Sequence, residues 1–401
     1  MELKKYKLGD LLQVTRGASL SGEYYATQGN YIRLTCGNFD YRNNCFKENQ
    51  SKDNIYYVGD FKEEFLLEKG DIITPLTEQA IGLLGSTARI PESGKYIQSQ
   101  DIAKIDCNES LLDKDFAFYL ISSACVKQQL SAAAQQTKIR HTSPDKIKEC
   151  TVWIPSLDIQ KRIGRILTDI DNKIAINRQI NDNLEAMAKQ LYDYWFVQFD
   201  FPNEEGKPYK SSGGAMVWNE KLKREIPQGW IASNYTDLFT IGNGQTMPQN
   251  EGFIPAYGGN GIVKMVEISN YPACIIIGRV GANCGSIHYS KVPCWVSDNA
   301  ISVCSKNDDW QPFLFYSLRL YNLSKNKGGS SQPLITHEAL KHLYFPMSEK
   351  HINQFCHIVN ELQDLIYSNQ QEILKLTKQR DELLPLLMNG QATVNYHLSD
   401  D

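Results

Sequence analysis

Residues 157–195, LDIQKRIGRILTDIDNKIAINRQINDNLEAMAKQLYDYW, contain no proline and no glycine after Gly164. Apolar side chains recur in this stretch every three or four residues, a pattern that predicts one long amphipathic helix. A second stretch with the same pattern covers residues 352–387. An isolated helix cannot bury its apolar side, so both stretches are expected to pack against another element.

The apolar positions of the two stretches alternate in steps of three and four residues, the period of a coiled coil. The first predicted seam consists of Ile159, Ile163, Ile166, Ile170, Lys173, Asn177, Ile180, Leu184, Met187, Leu191 and Tyr194. The second consists of Ile352, Phe355, Val359, Leu362, Ile366, Asn369, Ile373, Leu376, Arg380, Leu383 and Leu387. The simplest interpretation is an antiparallel pair in which Asn177 faces Asn369 and fixes the register. Parallel packing within the chain, and pairing with a helix of another protein, are the alternatives.

Self-similarities that keep a constant order indicate that the chain is an internal repeat. The matched pairs are Gly17 with Gly244, Asn38 with Asn260, Ser86 with Ser286, Ser99 with Ser297, Lys148 with Lys341 and Pro155 with Pro346. The offset between partners shrinks steadily along the chain, as a shorter second copy requires. Each copy is predicted to be a strand-rich module followed by one long helix.

The predicted fold is therefore α+β, with two similar modules separated by two long antiparallel helices that form an intramolecular coiled coil with pseudo-two-fold symmetry. A stretch rich in glycine, proline, serine and charge is predicted to be a linker. The predicted boundaries are 1–155 for the first module, 156–200 for the first helix, 201–229 for the linker, 230–346 for the second module, 347–390 for the second helix and 391–401 for a tail. A helix of about 40 residues is roughly 60 Å long, which suits holding two modules over separate places on one long target.

Composition limits the class of protein. No apolar run approaches the ~20 residues needed to cross a bilayer, and the start, MELKKYKLGDLL, lacks the apolar segment of a signal peptide, so a cytoplasmic protein is expected. The net charge of −4 argues only weakly against a nucleic-acid partner. Residues 127–148 contain five Lys or Arg and a single acid, and such basic patches are compatible with phosphate contacts.

The sequence lacks the short motifs of common active sites: GxxxxGK, GxGxxG, HExxH and GxSxG. We therefore expect neither catalytic residues nor a resident cofactor. Cys274, Cys284, Cys294 and Cys304 recur at ten-residue intervals. Zinc ligands normally come in close pairs such as CxxC, so these four are expected to be buried thiols rather than metal ligands.

Both modules carry loops of small and amide residues beside arginine, lysine and tyrosine, which suit base edges and phosphates. The candidate DNA-binding residues of the first module are Arg16, Ser19, Tyr24, Tyr25, Arg33, Asn38, Thr77, Glu78, Gln79, Lys138, Arg140 and His141. Those of the second module are Asn243, Gln245, Tyr257, Gly259, Asn260, Arg279, Asn283, Lys327, Ser330, Ser331 and Gln332. For any one of them, turn formation or surface solvation is the better explanation, and their recurrence at matching places in both modules favours a binding role for the set.

This architecture resembles the specificity subunit of type I restriction–modification systems. The stretches that carry the resemblance are IPSLDIQKRIGRIL (154–167), LEAMAKQLYDYWFVQFDFP (184–202), SSGGAMVWNEKLKREIPQGW (211–230), IPAYGGNGI (254–262) and ELLPLLMNGQATV (382–394). The resemblance implies that each module is a target recognition domain reading one half of a bipartite site on double-stranded DNA. It also implies that the helices set the spacing between the halves, and that the outer faces of 157–198 and 350–388 bind two methyltransferase subunits.

The resemblance further implies a chain without catalysis of its own, in a complex that methylates adenine and cleaves DNA with ATP. S-adenosylmethionine, ATP and Mg²⁺ would be used by the methyltransferase and restriction subunits and not by this chain. Base-contacting residues do not transfer, because the modules vary within this family. One alternative is a coiled-coil scaffold whose modules bind protein. Another is a fused methyltransferase or nuclease, against which the missing Asn-Pro-Pro-Tyr type of motif argues.

Overall fold

A computed structural model describes residues 2–49, 53–78, 82–133, 140–281, 283–321, 323 and 335–392. The chain forms two compact units, one of residues 1–175 and 374–401 and the other of residues 176–373. Each unit combines one strand-rich module with part of each long helix. The predicted α+β class and the two modules are confirmed.

The first unit is built mostly from short strands. Its strands are β1 (Lys4–Lys7), β2 (Leu12–Arg16), β3 (Tyr25–Ala26), β4 (Tyr31–Arg33), β5 (Phe39–Asp40), β6 (Cys45–Phe46), β7 (Tyr56–Tyr57), β8 (Ile72–Pro75), β9 (Thr77–Glu78), β10 (Ala88–Arg89), β11 (Tyr96–Ile97), β12 (Ile102–Cys107), β13 (Arg140–His141) and β14 (Thr151–Ile154). Its helices are α1 (Leu8–Leu11), α2 (Lys114–Ile121), α3 (Ala124–Ala133), α4 (Pro144–Glu149) and the start of α5 (Leu157–Tyr192).

The second unit has the same character. Its strands are β15 (Met216–Asn219), β16 (Arg224–Pro227), β17 (Ile231–Asn234), β18 (Phe239–Asn243), β19 (Glu251–Gly258), β20 (Gly261–Val266), β21 (Cys274–Gly278), β22 (Ile287–Ser290), β23 (Trp295–Val296), β24 (Ala300–Ser305) and β25 (Tyr344–Met347). Its helices are α6 (Tyr235–Leu238), α7 (Gln311–Leu320), α8 (His337–Lys341) and most of α9 (Glu349–Met388).

The two modules share one strand order, which confirms the internal repeat. The main antiparallel sheet of the first module is ordered β10-β8-β12-β2, and that of the second is β22-β21-β24-β18. A second sheet contributes one parallel pair in each module, β4 with β11 and β19 with β23. A two-stranded ladder then joins the start of each module to its end, β1 with β14 and β17 with β25.

The repeat extends to single backbone contacts. Gly17 precedes the residue that bridges Ser99, and Gly244 precedes the residue that bridges Ser297, in both cases in parallel. A Cβ atom on Gly17 would lie 2.4 Å from the Ser99 carbonyl oxygen, and one on Gly244 would lie 1.7 Å from that of Ser297. Only glycine permits so close an approach of two backbones. The matched glycines and serines are therefore equivalent positions, as predicted.

Both long helices form where they are predicted. Helix α5 continues into a π-helical turn over Asp193–Val197, and α9 contains Pro385 near its end. In the first unit, Arg380 of α9 donates a hydrogen bond from Nη1 to Asp171 of α5. Ile163, nearer the start of α5, shares a core with Leu387, nearer the end of α9. The helices therefore run antiparallel in this unit.

The second unit repeats the antiparallel pairing but corrects the predicted register. Asn177 Nδ2 donates to Glu372 Oε2 at 2.8 Å, and Asn369 Nδ2 donates to Asn181 Oδ1 at 2.9 Å. The predicted contact between Asn177 and Asn369 is thus wrong by about one helical turn. Aligning the apolar positions of the two helices from end to end does not determine which polar side chains meet. Here the hydrogen bonds of Asn177 to a carboxylate and of Asn369 to an amide set the register.

The predicted seam of α9 lies on the less exposed side of the helix. Its buried members are Ile352, Phe355, Val359, Ile366, Arg380 and Leu387, and its partly buried members are Leu362, Asn369, Ile373, Leu376 and Leu383. The seam of α5 is wrong at every second position. Ile180 and Met187 are 41% and 56% exposed, whereas the neighbouring Asn181 and Ala188 are buried. The small Ala188 side chain allows close packing beneath α5, and Asn181 finds its partner on α9. Polarity alone therefore misassigned these positions.

Residues 201–229, predicted as a linker from their composition, fold onto the second module instead. Strands β15 and β16 form an antiparallel hairpin within this segment. Phe201 stacks on Trp230 with ring centroids 5.1 Å apart, and Ile226 is buried in the same core. The aromatic residues scattered among the glycines and serines supply enough apolar surface to hold the segment in place.

Within the described ranges, no helix is long and apolar enough to cross a membrane.

Candidate nucleic-acid interface

Four predicted residues from distant parts of the first module meet on one ladder. Strand β9 pairs antiparallel with β13, so Thr77 faces His141 and Glu78 faces Arg140. Thr77 Oγ1 lies 3.3 Å from His141 Nδ1 and donates to Asp101 Oδ1 at 3.2 Å. His141 is exposed, whereas Thr77 and Glu78 are buried, so the imidazole is the group of this ladder that lies at the surface. Such a group suits hydrogen bonds to base edges or phosphates.

Asp101 was missed by the sequence reasoning. It lies two residues after Ser99, inside a stretch matched to the second module, where Asn299 occupies the same place after Ser297. The repeat could have indicated Asp101, because Asp101 and Asn299 are equivalent positions and each places a polar side chain at the candidate site of its module.

Among the buried predicted residues of the first module, Arg33 and Asn38 serve the fold. The Arg33 guanidinium lies 3.7 Å from the Tyr25 ring centroid, and its Nη2 donates to the Asn54 carbonyl at 3.3 Å. Asn38 closes the turn before it, because its Oδ1 accepts from the Thr35 backbone N–H at 2.9 Å. Both side chains are therefore engaged in contacts within the module.

The remaining described candidates of the first module range from exposed to buried. Arg16 is exposed and donates from Nε to the Gln100 carbonyl at 2.7 Å. Ser19 and Tyr24 are exposed as well, whereas Glu78 is buried and accepts from the Gly82 backbone N–H at 2.7 Å. Glu78 thus organises the neighbouring loop.

Some predicted residues lie outside the described part of the chain, where their assignment stays a prediction. These are Gln79, Lys138, Lys327, Ser330, Ser331 and Gln332.

In the second module, the structure gathers three predicted residues around one surface cavity of about 460 Å³. Gly259 and Asn260 come from the turn between β19 and β20, and Asn283 follows β21. The turn is tight because Gly261 adopts a φ of +93°, which favours glycine. One side of the cavity is thus formed by the stretch that carries the IPAYGGNGI similarity.

Several lining residues of this cavity were missed by the sequence reasoning because they are individually ordinary. They are Met247, Val263, Val280, Ser297, Asp298 and Asn299. Within the described part of the chain, no lysine or arginine lines the cavity. Its wall therefore combines carboxamides, one carboxylate and apolar side chains, the mixture that reads base edges better than phosphates.

The other predicted residues of the second module lie around this cavity or beneath it. Asn243 and Gln245 are exposed, and the Gln245 carbonyl accepts from the Asp298 backbone N–H at 3.0 Å. Arg279 is half-buried and donates its backbone N–H to the Asn299 carbonyl at 2.9 Å. Tyr257 is buried, and burial raises its pKa to about 12, so it is a packing residue.

The four regularly spaced cysteines are divided between two clusters of the core. Cys274 and Cys294 belong to one cluster with their sulfur atoms 3.6 Å apart, Cys304 packs against that cluster, and Cys284 belongs to another. The described residues contain no cluster of three or more His, Cys, Asp or Glu side chains that could hold a metal ion.

The chain is similar to known proteins of one family. The model of the family described as "Type I restriction modification DNA specificity domain" matches residues 1–186 and 227–383. The type I restriction enzyme MjaIX specificity subunit of Methanocaldococcus jannaschii is 25% identical over 347 residues, which cover 78% of each chain. The HindI specificity subunit of Haemophilus influenzae is 27% identical over 199 residues, 49% of this chain and 41% of that one.

One solved structure shares the fold. The type I restriction–modification S subunit from M. genitalium superposes with a TM-score of 0.63 at 18% identity, over 97% of this chain and 96% of that one.

Proposed function

Because the chain belongs to the type I restriction–modification DNA specificity family, we propose that each of its two target recognition domains reads one half of a bipartite site on double-stranded DNA. Specificity subunits of these systems are non-catalytic. Two methyltransferase subunits would use S-adenosylmethionine to methylate adenine at the site, and restriction subunits would use ATP and Mg²⁺ for cleavage.

The observation that carries this proposal is the shared strand order of two modules that each end on one helix of an antiparallel pair. A duplicated reader is the arrangement that a target with two separated halves requires. The candidate sites of the modules differ: Thr77 and His141 mark the first, and Asn260 and Asn283 mark the second. The two halves of the target are therefore expected to differ in sequence.

The paired helices would set the spacing between the halves. The second module is attached firmly to α9, since Lys291 Nζ donates to the Asn360 carbonyl at 3.1 Å and Gln363 Nε2 donates to Tyr316 Oη at 3.3 Å. Lys291 also forms an ion pair with Asp364. An insertion after Leu365 leaves these attachments in place and lengthens only the helix beyond them.

The spacing proposal is tested by inserting one heptad after Leu184 and one after Leu365, close to the level of the Asn181–Asn369 hydrogen bond. Seven helical residues add about 10 Å, the length of about three base pairs of B-form DNA. Duplexes selected from a random pool by the complete complex should then show unchanged half-sites and a gap lengthened by about three base pairs. A heptad added to α5 alone is the control, and it should lower stability without yielding a new gap. An unchanged gap with both insertions would remove the helices from the spacing mechanism.

The partner subunits would bind an exposed apolar stripe on α5. This stripe consists of Ile176, Ile180, Met187 and Tyr194, which are exposed in the second unit and recur on one side of the helix. Exposed apolar side chains in such a row mark an interaction surface. The stripe lies within residues 157–198, whose outer face the family resemblance assigns to methyltransferase subunits.

A further inference from the structure

The cavity in the second module has a chemistry that selects among base pairs. Asn260, Asn283 and Asn299 each bring a carboxamide to its wall, and a carboxamide combines an acceptor oxygen with two N–H donors. Adenine presents an N–H donor and an acceptor side by side in the major groove, which a carboxamide matches in a bidentate way. Guanine presents two acceptors, which arginine or lysine matches best.

The charge of the cavity argues against a phosphate contact. Asp298 places a carboxylate on the wall, and the lining within the described part of the chain contains no lysine or arginine. Phosphate oxygens are bound mainly by cationic side chains and N–H groups, and a carboxylate repels them. The group that enters this cavity is therefore expected to be neutral.

Apolar side chains complete the fit. Val263 is 63% exposed and Val280 is 39% exposed, and both line the cavity together with Met247. In DNA the major-groove edge of thymine carries a methyl group, which apolar side chains contact. A wall of carboxamides next to exposed valines thus matches both partners of one A·T pair.

One buried hydroxyl also points to a ligand. Ser297 lines the cavity, is 2% exposed, and its Oγ has no hydrogen-bond partner among the described residues. A buried hydroxyl without a partner is unfavourable, and an entering polar group would satisfy it.

We propose that this cavity is the base-reading centre of the second target recognition domain and that it takes the major-groove edge of an A·T pair. This inference rests on the proposed function. Asn260 and Asn283 bind adenine, Val263 and Val280 contact the thymine methyl group, and Ser297 supplies a further hydrogen bond. All of these are specificity-determining residues.

The test uses the full chain in complex with its methyltransferase subunits and a duplex selected from a random pool. In the second half-site each A·T pair is replaced in turn by G·C, by an A·T pair with 7-deazaadenine, which lacks the N7 acceptor, and by A·U, which lacks the methyl group. One position should lose roughly tenfold or more in affinity with G·C and 7-deazaadenine, and a few-fold with uracil.

The variants locate the contact. Asn260→Ala or Asn283→Ala should abolish the penalty for 7-deazaadenine at that position, and Val263→Ala should abolish the penalty for uracil. Asn250→Ala is the matched control, because Asn250 is an exposed asparagine of the same module that does not line the cavity. Its side-chain Nδ2 donates a hydrogen bond to Glu267 Oε2 at 3.0 Å. The Asn250→Ala variant should leave all penalties unchanged.

Three outcomes overturn the inference: a second half-site without any A·T requirement, variants that weaken all duplexes equally, or effects confined to the first half-site. In each of these cases the complex still selects a bipartite site, so the proposed function stands. A complex that selects no sequence at all refutes the proposed function and this inference together.

Discussion

Arg380 of α9 donates from Nη1 to Oδ1 of Asp171 of α5 at 2.9 Å, in a place where the arginine is buried. Tyr119 Oη donates to the other oxygen of Asp171 at 2.6 Å, which connects the recognition domain of the first unit to this pair. Burial and the Asp171 carboxylate keep the pKa of Tyr119 well above its usual value, so its hydroxyl remains a donor.

Asp171→Asn should lower the free energy of unfolding by about 2–3 kcal/mol. This is somewhat less than the cost of removing a fully buried ion-pair partner, because Asp171 is partly exposed. Among the described residues, the variant leaves the buried guanidinium with Asp381 as its remaining acidic partner. Urea unfolding of the intact chain measures the change. Asp169→Asn is the control, because Asp169 pairs with Arg165 in solvent and should cost less than about 0.5 kcal/mol. Equal shifts for both variants would show that the buried pair has no special weight.

Gly244→Ala should destabilise the second unit by about 2 kcal/mol or more, because the new methyl group would overlap the Ser297 carbonyl. Gly259→Ala is the matched control, since its nearest contacts would lie at 3.6 Å. Thermal unfolding of both variants beside the wild type separates them. If the two variants unfold alike, the close approach of the two backbones is not a constraint on the fold.

Met187→Asp should weaken binding of the methyltransferase subunit by roughly tenfold or more, because a carboxylate would be desolvated in an apolar interface. Ala186→Asp places the same charge on the adjacent exposed position, off the stripe, and should have little effect. Sedimentation velocity of the mixed subunits reports the association. If the Met187→Asp variant associates with the methyltransferase subunit as strongly as the wild type does, the stripe is not the docking surface.

His141→Ala should weaken binding of DNA by about three- to tenfold through the first half-site alone, the value of one hydrogen bond. His357→Ala, an exposed histidine on α9 whose imidazole lies near Glu361, serves as the control. Fluorescence anisotropy with duplexes altered in either half-site shows which half is affected. A loss that follows the second half-site would contradict the assignment of the Thr77–His141 ladder.

Acid should destabilise the second unit through His351. Burial, with a contribution from Lys350, lowers the pKa of His351 to about 4, where it packs 4.1 Å from the Phe201 ring. The unfolded chain binds this proton near its ordinary pKa of about 6.5 and the folded chain does not. The stability that His351 contributes is therefore complete above about pH 6.5 and is lost as the pH falls toward 4.

The pH dependence is checked by urea unfolding between pH 7 and 4. His351→Gln should flatten the loss over this range, and His357→Gln, which changes an exposed histidine, should not. Identical profiles for the wild type and His351→Gln would show that other groups cause the loss in acid.

The candidate sites show where sequence reasoning stops. Thr77 and His141 lie 64 residues apart in the sequence, and nothing in the sequence indicates that they face each other across a two-residue ladder. Arg33 and Tyr257 have the side chains of binding residues, yet burial makes them part of the core. Exposure depends on the packing of distant segments, and residue type does not record it.

The amino-acid sequence by itself determined the repeat, the positions of both long helices and the inward face of α9. The helices follow from the local periodicity of apolar residues, and the repeat follows from similar residues that recur in the same order. Both patterns can be read directly from one amino-acid sequence. Only the tertiary structure decided that Asn177 bonds Glu372, that Ala188 rather than Met187 lies inside, and that Asn260 meets Asn283 at one cavity. Each of these depends on directional contacts between segments far apart in the chain, whose free energies arise only after the backbone has brought them together.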